Sequence, residues 1–350
     1  AYLSGAVAGP DETQRGWDDP TVVLRLGASP TSKRLRTYLA ATDADQHVVD
    51  PTGRWREAAF TATNLVVAEP SRLCARLARL IGGGGGDPAW REQWLRAERI
   101  ATALHRGDPS SVAADIAAAG TGGDVPTDVH EGTVLQTVAE AVPDPATVFV
   151  SNSMPVRDLD RFVPPSTTNL TALGNRGVSG IDGIVSSALG AGSATTDDLT
   201  LVVGDLALYH DSNGLLAVDR CAVDVTIVLI NNDGGGIFHK LPVESFDPPF
   251  TDSFKTPHGL AFEPLSTLYG LEYVRIDARE AGSDTVGDTA ADDDGTDDPS
   301  AALAAAYTHA HETDGSHLIE VRTDAEASQR IRERLLDAVE RAVHGGDESS

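Results

Sequence analysis

The residues best suited to chemistry are Asp205 and Asn232, because each follows an apolar segment. Asp205 comes after the mainly apolar residues 199–203, and Asn232 comes after residues 225–230, which are rich in β-branched side chains. These runs predict two buried strands, and residues 211–220 predict a crossover helix between them. Polar residues of such parallel units gather at the carboxyl ends of the strands. The spacing therefore predicts that Asp205 and Asn232 bind one divalent cation.

The ligand chemistry of this pair favours a hard cation beside a diphosphate. Magnesium prefers oxygen ligands in near-octahedral geometry and commonly completes its shell with phosphate oxygens and water. One carboxylate, one amide oxygen and one backbone carbonyl would leave room for both. Taken singly, Asp205 could cap a helix and Asn232 could form a turn. The flanking strands and the glycines at 234–236 favour the cation site.

Four segments, in this order along the chain, resemble the motifs of one enzyme family. They are SNSMPVR at 151–157, GNRGVSGIDG at 174–183, GDL at 204–206 and NNDGGGIFHKLP at 231–242. The third and fourth resemble the GDG-to-NN motif of thiamine diphosphate enzymes, with Leu206 in place of the usual Gly. Together the four segments resemble the 2-succinyl-5-enolpyruvyl-6-hydroxy-3-cyclohexene-1-carboxylate synthases, transferases of menaquinone biosynthesis.

This resemblance implies thiamine diphosphate as cofactor and Mg²⁺ or Mn²⁺ as the metal. Asp205, Asn232 and the carbonyl of Gly234 would be the metal ligands. The other residues that would contact the cofactor are Gly204, Leu206 and Ile181, the last as an apolar wedge that bends it. The family often has Ser at the position of Ala207, so backbone amides would have to hold the diphosphate here.

The resemblance also implies two anionic substrates. The family decarboxylates 2-oxoglutarate on the cofactor and adds the succinyl unit to isochorismate. Guanidinium groups match carboxylates through paired hydrogen bonds. The implied substrate-binding residues are Lys33, Arg34, Ser153, Arg157, Arg176, Ile237, Phe238 and Leu241. Surface ion pairs or an exposed first helical turn are the alternatives for the basic residues, and ordinary packing is the alternative for the apolar ones.

One component of these enzymes has no counterpart in the chain, namely the Glu of a separate pyrimidine-binding domain. We therefore predict a C-terminal portion of a larger enzyme, inactive alone, whose intact form is a homodimer or tetramer. A split subunit that pairs with a second polypeptide is the alternative. Two other functions remain open: a different thiamine diphosphate enzyme, of acetohydroxyacid synthase or 2-oxoacid decarboxylase type, and a non-catalytic module that binds diphosphate and magnesium.

The predicted fold class is α/β. We expect a thiamine diphosphate-binding fold, with a parallel sheet flanked by helices, after a partial Rossmann-like middle domain. The predicted divisions are a tail over 1–17, the middle domain over 18–119, a linker over 120–128 and the cofactor domain over 129–345. Residues 280–300 are acidic and nearly free of large apolar side chains, which predicts a disordered insertion.

Two local predictions concern a helix end and the cysteines. Thr323 and Glu326 predict a capping box for a final helix. Cys74 and Cys221 lie far apart, which argues against a disulfide framework and favours a reducing cytoplasm. We interpret both cysteines as small core residues.

The charge balance is strongly acidic, with a net charge of −26 from 53 acidic and 27 basic residues. Such a composition is typical of proteins from a salt-rich cytoplasm, where screening relieves self-repulsion. Because the chain has no basic stripe, nucleic-acid binding is disfavoured. It also lacks an apolar run long enough to predict a membrane span.

Overall fold

The computed structural model describes residues 17–27, 29–30, 32–57, 59–83, 86–118, 129–177, 179–279 and 298–344. The predicted linker lies outside the described residues, as do nearly all of the predicted tail and insertion. The chain divides into two compact units. The first contains residues up to 125 and from 334 onward, and the second contains residues 126–333. The domain boundaries expected from the sequence stay a prediction.

In its described residues before 125, the first unit contains a small parallel sheet and four α-helices. Its strands are β1 (Val22–Leu26), β2 (Asp45–Val49) and β3 (Asn64–Val66), paired in the order β1-β2-β3. Its helices are α1 (Lys33–Ala41), α2 (Pro70–Ile81), α3 (Pro88–His105) and α4 (Ala113–Ala118). The buried side chains of Tyr38, Ile100 and Leu104 form its core together with Val339.

The described residues of the second unit form a six-stranded sheet in which every pair of neighbours is parallel. Its strands are β4 (Ala146–Val150), β5 (Leu170–Leu173), β6 (Asp198–Gly204), β7 (Thr226–Asn231), β8 (Glu272–Asp277) and β9 (His317–Arg322). Their order is β5-β4-β6-β7-β9-β8. The two strands predicted around the cation site, β6 and β7, are therefore direct neighbours.

Helices cover both faces of this sheet. They are α5 (Glu131–Ala141), α6 (Met154–Phe162), α7 (Ile184–Gly192), α8 (Asp205–His210), α9 (Leu216–Cys221), α10 (Glu263–Tyr269) and α11 (Pro299–Glu312). A further helix, α12 (Ala325–His344), begins in this unit and ends in the first. Successive residues of a strand point to opposite faces. Leu201 and Val203 accordingly pack in one core, whereas Val202 packs in the other. Burial on both faces explains why the central strands are continuously apolar. The predicted α/β class with a parallel sheet is confirmed.

Three local predictions are wrong. The segment 211–220 is not one helix, because α9 begins at Leu216 after a separate 3₁₀ turn, and Asp211 instead accepts a hydrogen bond from the Ser186 amide. Asp324 caps α12 by accepting from the Ala327 amide, so Thr323 is not the capping residue. Cys74 and Cys221 are exposed thiols and not core residues.

No helix within the described ranges is long and apolar enough to cross a membrane.

Candidate active site

The ends of β6 and β7 bring Asp205 and Asn232 together. Gly204 pairs with Ile230 in the register of these strands, so the residues that follow leave the sheet at the same edge. Asp205 is the first residue of α8 and is only 2% exposed. The two predicted ligand residues therefore share one edge of the sheet and lie next to each other.

The carboxylate of Asp205 is held by backbone amides. Its Oδ2 accepts from the amides of Asn232 at 3.2 Å and Gly234 at 3.0 Å, and its Oδ1 accepts from Leu206 at 2.6 Å. These contacts fix the carboxylate and fasten the loop after β7 to the end of β6. We call this group of Asp205, Asn232 and Gly234 the β6–β7 site.

Burial raises the pKa of Asp205, and the amide hydrogen bonds and His258 oppose that effect. The Nε2 of His258 lies 3.2 Å from Asp205 Oδ2, although the ring is not aligned to donate a hydrogen bond to it. His258 was not predicted from the sequence, because it lies outside the matched segments. A buried anion is unfavourable, and a bound cation would relieve that cost.

Asn232 has one side-chain atom with a partner and one without. Its Nδ2 donates to Glu131 Oε1 at 2.6 Å. Its Oδ1 is buried and has no hydrogen-bond partner among the residues that the structure describes. A buried polar atom without a partner is costly, and it indicates an ion, a water or a ligand. The site therefore fits a cation that takes an amide oxygen.

Gly234 is required by the backbone at its position. Its φ of 142° favours glycine, and an added Cβ would collide with the Lys255 carbonyl. Its own carbonyl accepts from the Gly236 amide at 3.1 Å and keeps a second lone pair. Among the described residues, no three His, Cys, Asp or Glu side chains form a group that could hold a metal. A cation here would thus depend on amide and carbonyl oxygens as well as on Asp205.

The predicted arginines lie after β4 and β5, on the same edge of the sheet. Arg176 donates to Asn152 Oδ1 at 2.6 Å, and Asn152 donates in turn to the Gly180 carbonyl at 2.5 Å. Arg157 donates to the carbonyl of Ser153, whose φ of 70° is unusual for a residue other than glycine. Asn152 thus connects two of the matched segments, a role that the sequence did not reveal.

The predicted apolar residues have mixed exposure. Ile181 is half-buried and packs against the core on one face of the sheet. Phe238 is half-buried and contacts Phe254 edge to face, with ring centroids 5.6 Å apart. Ile237 is also half-buried, whereas Leu241 is 45% exposed. These residues could line a pocket, but ordinary packing explains the contacts of Ile181 and Phe238 equally well.

Lys33 and Arg34 belong to the first unit. Both are exposed in the first turn of α1, which Ser32 caps by accepting from the Leu35 amide. Their predicted substrate contacts stay a prediction.

Comparison with known proteins gives no match to a protein-family model. The chain is 66% identical over 351 residues to the 2-succinyl-5-enolpyruvyl-6-hydroxy-3-cyclohexene-1-carboxylate synthase of Halorubrum lacusprofundi, covering 99% of this chain and 54% of that protein. It is 52% identical over 342 residues to the synthase of Haloquadratum walsbyi, covering 92% of this chain and 52% of that protein. The synthase of Roseiflexus castenholzii is 40% identical over 329 residues, covering 93% of this chain and 50% of that protein.

The chain thus spans about half the length of the curated relatives that it matches. Within that span, the resemblance predicted from four short segments is confirmed along nearly the whole chain. The first two relatives are from halophilic archaea, in agreement with the acidic composition. Among solved structures, the thiamine diphosphate-dependent 4-hydroxybenzoylformate decarboxylase of Rhodococcus jostii is 16% identical with a TM-score of 0.49, covering 80% of this chain and 44% of that one. That similarity is too weak to support an inference.

Proposed function

We propose that this chain is the C-terminal, cofactor-binding part of a 2-succinyl-5-enolpyruvyl-6-hydroxy-3-cyclohexene-1-carboxylate synthase, a transferase of menaquinone biosynthesis. Its 66% identity to the Halorubrum lacusprofundi synthase supports this function. The structural observation that carries the proposal is the β6–β7 site, where a buried carboxylate lies beside a buried amide oxygen that has no partner among the described residues. The proposed whole enzyme is cytoplasmic and acts as a dimer or tetramer.

The β6–β7 site would hold Mg²⁺ or Mn²⁺ together with the diphosphate of thiamine diphosphate. Asp205 would supply a carboxylate oxygen, Asn232 its Oδ1, and Gly234 its carbonyl, while phosphate oxygens and water complete the shell. Gly204 and Leu206 flank Asp205 and would border the diphosphate. When bound, thiamine diphosphate supplies an electron sink for decarboxylation. The residues of the chain fix the position of this group and keep its anionic end in place.

The proposed substrates are 2-oxoglutarate and isochorismate, both carboxylates. Arg157 follows β4 and Arg176 follows β5. Because these strands are parallel to β6, both arginines come after the same edge of the sheet as Asp205. Paired hydrogen bonds from such groups orient a carboxylate and offset its charge. Ser153, Lys33 and Arg34 are proposed as further polar contacts. The proposed apolar contacts are Ile181 against the cofactor and Ile237, Phe238 and Leu241 against the substrates.

The proposed activity needs more than this chain. No residue here is assigned the proton-transfer role of the Glu that the family carries in its pyrimidine-binding domain. We propose that the part of the relatives not covered by this chain supplies it, either in the same polypeptide or in a partner.

Titration calorimetry with thiamine diphosphate and Mg²⁺ in molar salt tests the β6–β7 site. We expect Mg²⁺-dependent binding by the chain, and Asp205→Asn should weaken it by more than about tenfold because a charged ligand is lost. Asp198→Asn is the matched control, since Asp198 is exposed at the opposite end of the same strand. Equal Mg²⁺-dependent binding by Asp205→Asn and the wild type would contradict the assignment.

A further inference from the structure

The orientation of the Asn232 amide is fixed by its partner. The Nδ2 of Asn232 lies 2.6 Å from Glu131 Oε1, and Glu131 is buried on α5. An ionised carboxylate only accepts hydrogen bonds, so the amide group can present only its NH₂ to Glu131. The amide oxygen must then point away from Glu131. That oxygen is the buried atom of the β6–β7 site for which the described residues offer no partner.

Glu131 cannot turn away, because Arg332 holds its other oxygen. Arg332 Nη2 lies 2.5 Å from Glu131 Oε2, and Arg332 also forms a two-pronged ion pair with Asp158 at 3.0 Å and 2.6 Å. The side chains of all three residues are at most 2% exposed. Although burial acts to lower the pKa of Arg332, Glu131 and Asp158 outweigh it and raise that pKa above its usual range. Arg332 therefore stays a cation.

The neighbouring asparagine provides an internal comparison. The Nδ2 of Asn231 also donates at 2.6 Å to a buried glutamate, Glu320. The Oδ1 of Asn231, however, accepts from the Asp233 amide at 3.1 Å, whereas the Oδ1 of Asn232 meets no donor in the described part of the chain. The two adjacent asparagines thus each donate a hydrogen bond to a buried glutamate, but only the amide oxygen of Asn231 accepts one. Within the described residues, the Asn231 side chain has a hydrogen-bond partner at both its nitrogen and its oxygen, whereas Asn232 has one only at its nitrogen.

We propose that Glu131 is a positioning residue, which, together with Arg332, orients the Asn232 amide so that its oxygen faces the divalent cation. This inference rests on the function proposed above and adds to it a residue that no matched segment contains. The alternative is that Glu131 and Arg332 form only a structural ion pair between α5 and α12. The two roles predict different behaviour when the hydrogen-bonding direction of Glu131 is changed without changing its size.

The variant Glu131→Gln reverses the direction of the hydrogen bond between position 131 and Asn232. Arg332 has only donors, so it should attract the oxygen of the introduced glutamine and leave the new NH₂ group facing Asn232. The Asn232 amide must then turn its oxygen towards position 131 and its NH₂ towards the cation. We expect Mg²⁺-dependent affinity for thiamine diphosphate to fall by about 10–100-fold, the usual effect of losing a residue that orients a metal ligand.

A second substitution should restore binding. In Glu131→Gln/Asn232→Asp, the carboxylate at 232 accepts from the NH₂ group at 131 with one oxygen and presents the other oxygen to the cation. We expect the double variant to bind Mg²⁺ and thiamine diphosphate more tightly than either single variant. In Asn232→Asp alone, two carboxylates would face each other, which disfavours their both being ionised.

Glu320→Gln is the matched control. It makes the same substitution in a buried glutamate that anchors an asparagine, but the second partner of Glu320 is the Tyr273 hydroxyl, at 2.6 Å. A hydroxyl both donates and accepts, so the glutamine introduced at 320 can keep its oxygen towards Asn231. Affinity for Mg²⁺ and thiamine diphosphate should therefore be unchanged in this variant, while thermal unfolding reports any loss of stability in each protein.

The outcomes separate the two proposals. If the wild type shows Mg²⁺-dependent binding and Glu131→Gln binds equally well, the positioning role is wrong and the proposed function stands. A weakened Glu131→Gln that Asn232→Asp does not rescue leaves Glu131 with a structural role only and also overturns the inference. If the wild type shows no Mg²⁺-dependent binding, both proposals fall.

A measurement on the wild type covers the case in which Glu131→Gln does not fold. The side-chain NH₂ resonances of Asn232, assigned by their loss in Asn232→Asp, should show protection from solvent exchange before and after Mg²⁺ and thiamine diphosphate are added. Loss of that protection on addition would mean that the amide leaves Glu131 when the cation binds, which would contradict the positioning role.

Discussion

The requirement for glycine at position 234 is the most local constraint on the β6–β7 site. The Gly234 amide donates to Asp205. The residue has a φ of 142°, and an added Cβ would collide with the Lys255 carbonyl. The neighbouring Gly235 amide also donates to the Lys255 carbonyl, at 2.7 Å. The loop after β7 is therefore held on both sides, by Asp205 and by residue 255, and it has little freedom to absorb a side chain.

We expect Gly234→Ala to destabilise the chain by about 1–3 kcal/mol, since a residue other than glycine is strained at this φ. Binding of Mg²⁺ and thiamine diphosphate should fall as well, because the loop must shift away from Asp205. Chemical denaturation in molar salt measures the first effect and calorimetry the second. Gly190→Ala is the control, because an added Cβ on this α7 residue meets open space. A Gly234→Ala variant as stable as the control would contradict this account.

The residues of the site differ in how readily the sequence reveals them. Asp205 and Asn232 follow from strand patterns alone, because parallel strands have a common carboxyl end. Glu131 lies 101 positions from Asn232, and Arg332 lies 201 positions from Glu131, so no local spacing joins them. Their association depends on how the beginning of α12 contacts α5. His258 lies 53 positions from Asp205 and outside the matched segments, so it was missed as well.

At the scale of single elements, α5 is capped by a histidine, His130, whose pKa is far below its ordinary value. His130 caps the helix by accepting from the Gly132 amide at its Nδ1, at 2.9 Å. Burial lowers the pKa of His130 to about 3, with further contributions from the charges of Arg332 and Arg161. The neutral ring is needed for the cap, because a protonated Nδ1 can no longer accept a hydrogen bond.

The stability of the protein should consequently depend on pH through His130. Below its ordinary pKa of 6.5, the histidine of the unfolded chain binds a proton, whereas the folded chain resists protonation until about pH 3. The free energy of unfolding therefore falls as pH is lowered through this window, by about 2 kcal/mol between pH 6.5 and pH 5. His130→Asn keeps a capping oxygen and should remove this contribution.

Chemical denaturation of both proteins at about pH 7 and pH 5 measures the difference. Carboxylates contribute equally to the pH dependence of the two proteins. Only the difference between them in how the free energy of unfolding changes with pH therefore reports on His130. If the free energy of unfolding changed equally with pH in the wild type and in His130→Asn, the cap would be shown to tolerate protonation.

The strand patterns predict the two strands of the β6–β7 site correctly, whereas the predictions for the helix over 211–220 and for the start of the final helix are wrong. The apolar runs of β6 and β7 are followed by turn residues, so their strands are unambiguous. The end of α12 next to β9 was predicted incorrectly because both Thr323 and Asp324 are good capping residues and only the backbone path decides between them. The segment 211–220 was also mispredicted, since α8 begins directly at the end of β6 and a 3₁₀ turn over Ser212–Leu215 precedes α9.

For the molecule as a whole, the net charge of −26 should make stability depend on salt. Ions at molar concentration shorten the screening length to about 3 Å and relieve repulsion among surface carboxylates. We expect the thermal unfolding temperature to rise between about 0.1 M and about 2 M KCl, because each kcal/mol of relieved repulsion raises it by about 2–4 °C in domains of about 150–250 residues. Sucrose is the comparison, because it strengthens burial without screening charge. Equal stabilisation by sucrose and KCl at matched osmolality would count against the electrostatic origin.

The proposed activity can be tested by supplying the part of a relative that the chain does not match. The part of the Halorubrum lacusprofundi synthase that the chain does not cover, produced as a separate polypeptide or joined to the chain, should restore synthesis of the product from 2-oxoglutarate and isochorismate. Arg157→Ala and Arg176→Ala in that assembly should raise KM or lower kcat, because a charged hydrogen bond contributes about 1.5–3 kcal/mol. A folded assembly without product would contradict the proposed function.

The amide contacts of Asp205 have a consequence for the kinetics of ligand capture. Hydrogen bonds from Asn232 and Gly234 close the loop after β7 through contacts within the chain itself. Ordering a loop costs conformational entropy, and here that entropy is lost when the protein folds. An ion that enters the proposed site would therefore meet oxygens at fixed spacing, and the slow event in its uptake should be the shedding of its own hydration water rather than a rearrangement of the protein.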